Sequence, residues 1–184
     1  MYDKIFILLL VNFLNQLITI EPASTNNLIE SKNQIKGNEF RTFWGKASSI
    51  FIQFMCFLNY GYYIHLPINF SDYVYVFMII IGVIIRLWAF KELGQYFTFS
   101  ISIQRDHKLI TTGPYKLFSH PGYIGQYIVN IFTVLLCDLH IFISIGLMIY
   151  IFYRFYHRIM AEEKMLLEHF KSSYLDYKKN VLFF

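Results

Sequence analysis

The sequence predicts an all-α, polytopic membrane helix bundle of about five transmembrane helices, and three observations carry that reading. Of its 184 residues 56% are hydrophobic and 20% aromatic, while only 15% are charged, against roughly 25% charged in an average soluble domain. The apolar excess is gathered into long runs, the distribution expected of helices that face lipid. Lysine and arginine gather at one set of run ends and are missing from two of the connections between runs, as the positive-inside rule expects of a chain that crosses a membrane repeatedly.

The first run, residues 5–20, is "IFILLLVNFLNQLITI". Asn12, Asn15, Gln16 and Thr19 fall at three- and four-residue steps, so one helical face is polar and should turn toward other helices. A signal peptide is the competing reading, because Lys4 and a short apolar region precede Glu21-Pro22, but no small-residue cleavage pattern follows. Residues 21–41 are polar and read as a loop. A second run covers about 42–66 and ends at Pro67, and a third covers 71–90 with Ser71 or Asp72 as its N-cap. The fourth runs from Pro121 to about Leu136. After only "CDLH", a fifth covers about 141–156, which predicts a tight helical hairpin.

Lys32, Lys36, Arg41 and Lys46 precede or begin the second span, and Arg86, Lys91, Arg105, Lys108 and Lys116 end or follow the third. The connections at 67–70 and 137–140 hold no Lys or Arg. The basic side is therefore cytosolic, which puts the N-terminus outside and residues 157–184 in the cytosol. Residues 1–81 then form an N-terminal transmembrane part with its connecting loop. Residues 82–184 form a C-terminal core holding the two sizeable stretches open to water, 91–120 and 157–184.

Cys56 and Cys137 lie in or beside apolar runs and share no metal-like spacing with each other or with a histidine, which argues against a disulfide framework or a zinc site. The net charge of +4 is modest and no basic run is interleaved with aromatics, so a nucleic-acid partner is not expected.

The segment "TTGPYKLFSHPGYIGQY" at 111–127 concentrates the breakers of this otherwise apolar chain. Gly113-Pro114 ends whatever precedes it, and Ser119-His120-Pro121 reads as a helix start with Pro121 at the first helical position. His120 then lies near free backbone N–H groups at a helix N-terminus, an end that attracts anions. Gly122 and Gly125 bare the backbone on one side of the first turns, which suits either a ligand or close helix packing.

The string "HKLITTGPYKLFSHPGYIGQY", an apolar hairpin and then "RIMAEEKMLLEHFKSSYLDYKK" together resemble the isoprenylcysteine carboxyl methyltransferase family of integral membrane enzymes, over roughly residues 82–180. That resemblance implies methyl transfer from S-adenosylmethionine to the C-terminal carboxylate of a prenylated cysteine, with the cofactor held in the cytosolic C-terminal part. It also implies cofactor contacts from a His-x-Leu-Val/Ile block, here His107, Lys108, Leu109 and Ile110, and from Tyr115 of the Gly-x-Tyr unit. Further contacts are implied for His120, Pro121, Gly122 and Tyr123 of the His-Pro block and for Glu162 beyond the last span. Arg158 matches the family's substrate-side arginine. The chain departs from the pattern at Ser119, where the family commonly has Arg, and at Phe99, where it often has His.

The residues themselves suit that chemistry. A carboxylate is already ionised at neutral pH and needs no general base, so the protein has chiefly to position and desolvate it. Arg158 can hold a carboxylate by a bidentate fork, and Glu162, one turn on, shares its helical face and can take an ammonium. Read from spacing alone, the two are a surface ion pair. Glu163 is equally a helper or a solvated charge. Tyr115 and Tyr123 suit adenine or a sulfonium, or a membrane boundary; His107 and His120 suit hydrogen bonding better than metal ligation.

Leu166, Leu167, Phe170, Tyr174 and Tyr177 recur at helical steps, which predicts an amphipathic C-terminal helix lying on the membrane and closing over the cofactor. Arg86, near the cytosolic end of the third span, is expected to snorkel to headgroups, with a role lining the substrate entrance as the alternative.

The expected partners are a prenylated C-terminal cysteine, or a lipid-like small molecule, together with membrane lipids. The competing functions are a membrane methyltransferase acting on a phospholipid amine and an inactive scaffold of the same fold. Localisation follows the host: endoplasmic reticulum membrane in a eukaryote, inner membrane in a bacterium.

Overall fold

A computed structural model describes residues 68–97 and 107–181, together with Ile7, Leu10 and Val11. The described residues are all-helical, with no β-strand element among them. In chain order they form α1 (Phe70–Leu93), a 3-10 turn (Gly94–Tyr96), a second 3-10 turn (Gly113–Lys116), α2 (Pro121–Leu136), α3 (Ile141–Phe170) and α4 (Ser172–Asn180). Apart from Ile7, Leu10 and Val11, the spans expected at 5–20 and 42–66, the loop at 21–41, Cys56 and Phe99 lie outside the described residues.

The third predicted span is α1, and it starts earlier than expected. Its N-cap is Asn69, and Asp72 stands three residues inside, where its Oδ2 accepts a hydrogen bond from the Asn69 backbone N–H at 2.9 Å. Asp72 thus serves as the reciprocal half of a capping box and not as the cap itself. The helix ends at Gly94, whose φ of 51° and ψ of −123° are adopted most readily by a residue without Cβ. From Phe70 to Tyr96 the segment is long and apolar enough to cross a membrane, the one described helix of which this holds. Phe70, Phe77, Ile80, Ile84, Leu87 and Trp88 leave its outer side apolar and exposed.

The other side of α1 packs on α2. Ile79, Gly82, Arg86 and Ala89, at three- and four-residue steps, form a buried stripe. At the crossing the two backbones touch: a Cβ on Gly82 would lie 2.7 Å from the Gly125 carbonyl oxygen, and one on Gly125 would lie 2.5 Å from that of Gly82. Gly125 therefore serves helix packing, the role small residues take where lipid gives no hydrophobic drive to association. Val11 joins Ile79, Val129 and Leu136 in a buried cluster beside this crossing.

α2 covers the predicted fourth span, with Pro121 at its first turn and His120 as N-cap. Four residues later α3 begins, and Val134, Cys137, Leu147 and Ile151 bury one another across the hairpin. The fifth span, expected to stop near 156, continues without a break to Phe170. No Gly or Pro occurs between Leu147 and Phe170, and the added turns are rich in Glu, Lys, Met and Leu, all strong helix formers.

Lys171, with φ 49° and ψ −120°, then turns the chain back into α4. The single C-terminal amphipathic helix is thus corrected to two pieces. Leu166, Leu167 and Phe170 end the long helix, and Tyr174 and Tyr177 are the buried residues of a short one.

Candidate active site

The candidate site lies where three pieces meet: the turn 107–119, the N-terminus of α2, and the last turns of α3 under α4. Pro114 and Tyr115 are buried in the 3-10 turn, and Gly113 is required there by a φ of 57° and by contact, since a Cβ would fall 2.7 Å from Glu92 Oε2. The Thr112 hydroxyl bonds the same Glu92 carboxylate, which ties this turn to the end of α1.

Of the residues singled out from sequence, Tyr123, Arg158 and Glu162 come together. Arg158 Nε donates to the Tyr123 hydroxyl at 2.8 Å, and its Cζ stands 5.6 Å from the Tyr123 ring centroid. The same hydroxyl faces the Glu162 carboxylate. Glu162 also acts electrostatically on His107, Tyr115 and Tyr174, so one carboxylate stands near three aromatic rings. Burial, reinforced by Glu162, pushes the Tyr115 phenol well above its ordinary range and keeps it protonated.

The His107 ring lies tilted against Tyr96 and Phe170, with centroids 5.0 and 5.8 Å away. Burial, then the nearby His169, lowers its pKa, which favours the neutral ring. Its Nδ1 is buried and has no hydrogen-bond partner among the described residues. Leu109 and Ile110 are half-buried behind it, whereas Lys108 is exposed.

His120 is 4% exposed, and its Nε2 lies 2.6 Å from Glu163 Oε1. Glu163, left open in the sequence, is a hub: Tyr174 Oη donates to it at 2.7 Å, and Lys178 Nζ reaches both its oxygens at 2.9 and 3.0 Å. Burial alone would raise this carboxyl, but the hydrogen bonds from His120, Tyr174 and Lys178 outweigh it and hold the pKa near about 2. Tyr177 Oη donates to the Tyr115 carbonyl at 2.8 Å, so α4 grips the turn at a second point. Burial, with Glu163 nearby, pushes the Tyr177 phenol up to about 12.

Arg86 departs from expectation. It is 8% exposed, its Nη1 donates to the Gly122 carbonyl at 3.2 Å, and it lies 4.6 Å from the Phe90 ring centroid. It cannot snorkel because it lies on the stripe of α1 turned toward α2, and the glycine crossing draws the Gly122 carbonyl within its reach. Gly122 and Pro121 serve the same end of α2, Pro121 buried beneath the site and Gly122 beside Phe90 and Ala89.

Sequence reasoning left Arg86 and Glu163 open, missed Tyr96, and placed Phe170, Tyr174 and Tyr177 on a covering helix without their partners at the site. Tyr174 and Lys178 are four apart, a detectable helical pair, but the reversal at Lys171 that aims them at Glu163 has no sequence signal such as glycine.

Fold and site together define a class: an apolar helical protein that seats an oppositely charged, aromatic-walled site at one end of its helices. A family model, the isoprenylcysteine carboxyl methyltransferase (ICMT) family, matches residues 75–168, and the chain belongs to that family. A rice protein named probable protein-S-isoprenylcysteine O-methyltransferase (Oryza sativa subsp. indica) is 39% identical over 115 residues, which is 61% of this chain and 59% of the rice protein. Protein-S-isoprenylcysteine O-methyltransferase B of Arabidopsis thaliana is 37% identical over 56% of this chain and 53% of its own length. The human protein-S-isoprenylcysteine O-methyltransferase is 34% identical over 56% of this chain and 37% of its own length. The chain thus spans at most 59% of these curated relatives.

Proposed function

We propose that this protein transfers a methyl group from S-adenosylmethionine to the C-terminal carboxylate of a prenylated cysteine, forming a methyl ester. Family membership and the activity for which the relatives are named support the reaction class. The observation that carries it to this chain is the meeting of Arg158 and Glu162 on the Tyr123 hydroxyl. A cation suited to a carboxylate and an anion suited to an ammonium are there held one helical turn apart.

The residues fit the cofactor. Glu162 supplies a negative partner for its amino group, Tyr115, Tyr123 and His107 supply rings for its base, and the unpartnered Nδ1 of His107 is a buried polar atom awaiting a ligand contact. When bound, S-adenosylmethionine supplies an electrophilic methyl on a sulfonium. Arg158 orients the substrate carboxylate by its planar fork. Tyr123 fixes the guanidinium by its hydroxyl and neighbouring ring, so little reorganisation remains when the nucleophile arrives. His107, Lys108, Leu109 and Ile110, Tyr115, and His120 to Tyr123 line the cofactor side, within a methyltransferase core of residues 82–184.

The apolar outer side of α1 and the lysine and arginine placement support a multi-pass position in a membrane with five spans, the endoplasmic reticulum of a eukaryote or the inner membrane of a bacterium. A lipid-embedded site suits a substrate that carries a prenyl chain.

The test is transfer of labelled methyl from S-adenosylmethionine to acetylated farnesylcysteine and, in parallel, to phosphatidylethanolamine. Base-labile label on the farnesylcysteine is expected. Base-stable label on the phospholipid alone would move the assignment to an amine methyltransferase, and label on neither would favour a scaffold.

A further inference from the structure

We propose that Glu163 is a positioning residue that latches α4 over the cofactor side of the site and, through the same carboxylate, fixes the imidazole of His120. The inference rests on the functional reading above and adds to it a residue and an element. Three groups from two directions converge on this one carboxylate: His120 Nε2 at 2.6 Å from the α2 N-terminus, and Tyr174 Oη at 2.7 Å and Lys178 Nζ at 2.9 Å from α4.

α4 has little else to hold it down. It is nine residues long, too short to be stable alone in water. Only Tyr174 and Tyr177 in it are buried, and both spend their hydroxyls on the site, one on Glu163 and one on the Tyr115 carbonyl. Its entry passes through a lysine at positive φ, a conformation that costs free energy and persists only where the surroundings enforce it. Docking of α4 therefore rests on the Glu163 contacts together with the Tyr177–Tyr115 hydrogen bond, and what it docks against is the turn bearing Tyr115 and the cap residue His120.

The carboxylate also sets the ring. An ionised carboxylate only accepts, so the hydrogen between it and His120 sits on Nε2 and the ring is held by a donated hydrogen bond. Glutamine in place of Glu163 can offer its amide hydrogens to the ring, reversing that preference, and it gives up the charge that Lys178 pairs with. Glu163 touches neither ligand in this scheme. It acts through His120 and through α4.

The experiment uses the full chain in detergent or nanodiscs, comparing wild type with Glu163→Gln and Lys178→Met. Amide hydrogen exchange over residues 172–180 needs no ligand and reads the latch directly. In Glu163→Gln it should quicken by about tenfold or more, since partly buried charge-assisted contacts of this kind are together worth about that factor in an opening equilibrium. The dissociation constant and KM for S-adenosylmethionine should rise by about tenfold, while the KM for acetylated farnesylcysteine and kcat at saturating cofactor change less than about threefold, the split expected when only cofactor binding is lost. Lys178→Met, at a half-buried position, should move the same quantities in the same direction by a smaller factor.

Unchanged exchange over 172–180 in both variants would overturn the latch, as would unchanged cofactor affinity beside a fall in kcat and a rise in farnesylcysteine KM. A wild-type chain that neither binds S-adenosylmethionine nor transfers methyl, with α4 still protected, would instead overturn the functional reading and with it the ligand the latch serves.

Discussion

Arg158 and Glu162 differ by one helical turn, yet they should fail differently when changed. Arg158→Lys keeps the charge but loses the planar fork and the Nε–H that Tyr123 accepts, so turnover should fall by roughly tenfold or more while S-adenosylmethionine still binds. Glu162→Gln leaves the arginine in place and removes the negative partner of an ammonium. Cofactor affinity should drop by on the order of 2 kcal/mol or more in calorimetry, because an uncompensated charge in a poorly hydrated site is expensive. Wild-type turnover in Arg158→Lys would remove it from the carboxylate, and unchanged cofactor affinity in Glu162→Gln would remove that residue from the site. Both residues could be singled out in the sequence because their spacing puts them on one face and the family resemblance assigns them roles, whereas spacing alone reads as a surface ion pair. Glu163 could not, since its partners come from a different helix and from a loop 43 residues away.

At the scale of elements, what the sequence disclosed tracks the local signals. α2 was readable to its ends because Pro121 and the CDLH connection punctuate it. The far end of α3 was not, because charged residues after 156 mark departure from lipid and not departure from helix. The break at Lys171 is the extreme case: a glycine conformation occupied by a residue with no glycine-like signature. Lys171→Gly should therefore stabilise the α3–α4 junction by about 1 kcal/mol, the difference between a strain of ~1–3 kcal/mol and the ~0.5–1 kcal/mol of extra chain entropy that glycine loses on folding. Thermal unfolding in detergent should show a raised midpoint, and a lowered one would mean that the lysine side chain contributes more than its backbone costs.

For the whole molecule, orientation is the quantity that positive charge predicts. With Cys56 and Cys137 replaced by serine, Ile68→Cys and Lys116→Cys should be labelled by an impermeant thiol reagent from opposite sides of sealed vesicles. Labelling of both from one side would refute the arrangement. The glycine crossing could be anticipated only as a possibility, because Gly122 and Gly125 read equally as ligand-facing or helix-facing until Gly82 is seen against one of them.

The unbroken run of α3 has a consequence for how the family can vary. A hinge between the apolar half and the site would let each be adjusted separately, but here Leu147 and Ile151 in the hairpin, and Arg158, Glu162 and Glu163 in the site, share one rigid screw axis. Inserting one residue anywhere between Ile151 and Arg158 would rotate everything beyond it by about 100° and advance it by about 1.5 Å. Arg158 would leave Tyr123 and Glu163 would leave His120 in the same step. The spacing between hairpin and site is thus a reading frame, tolerant of substitution and intolerant of length change.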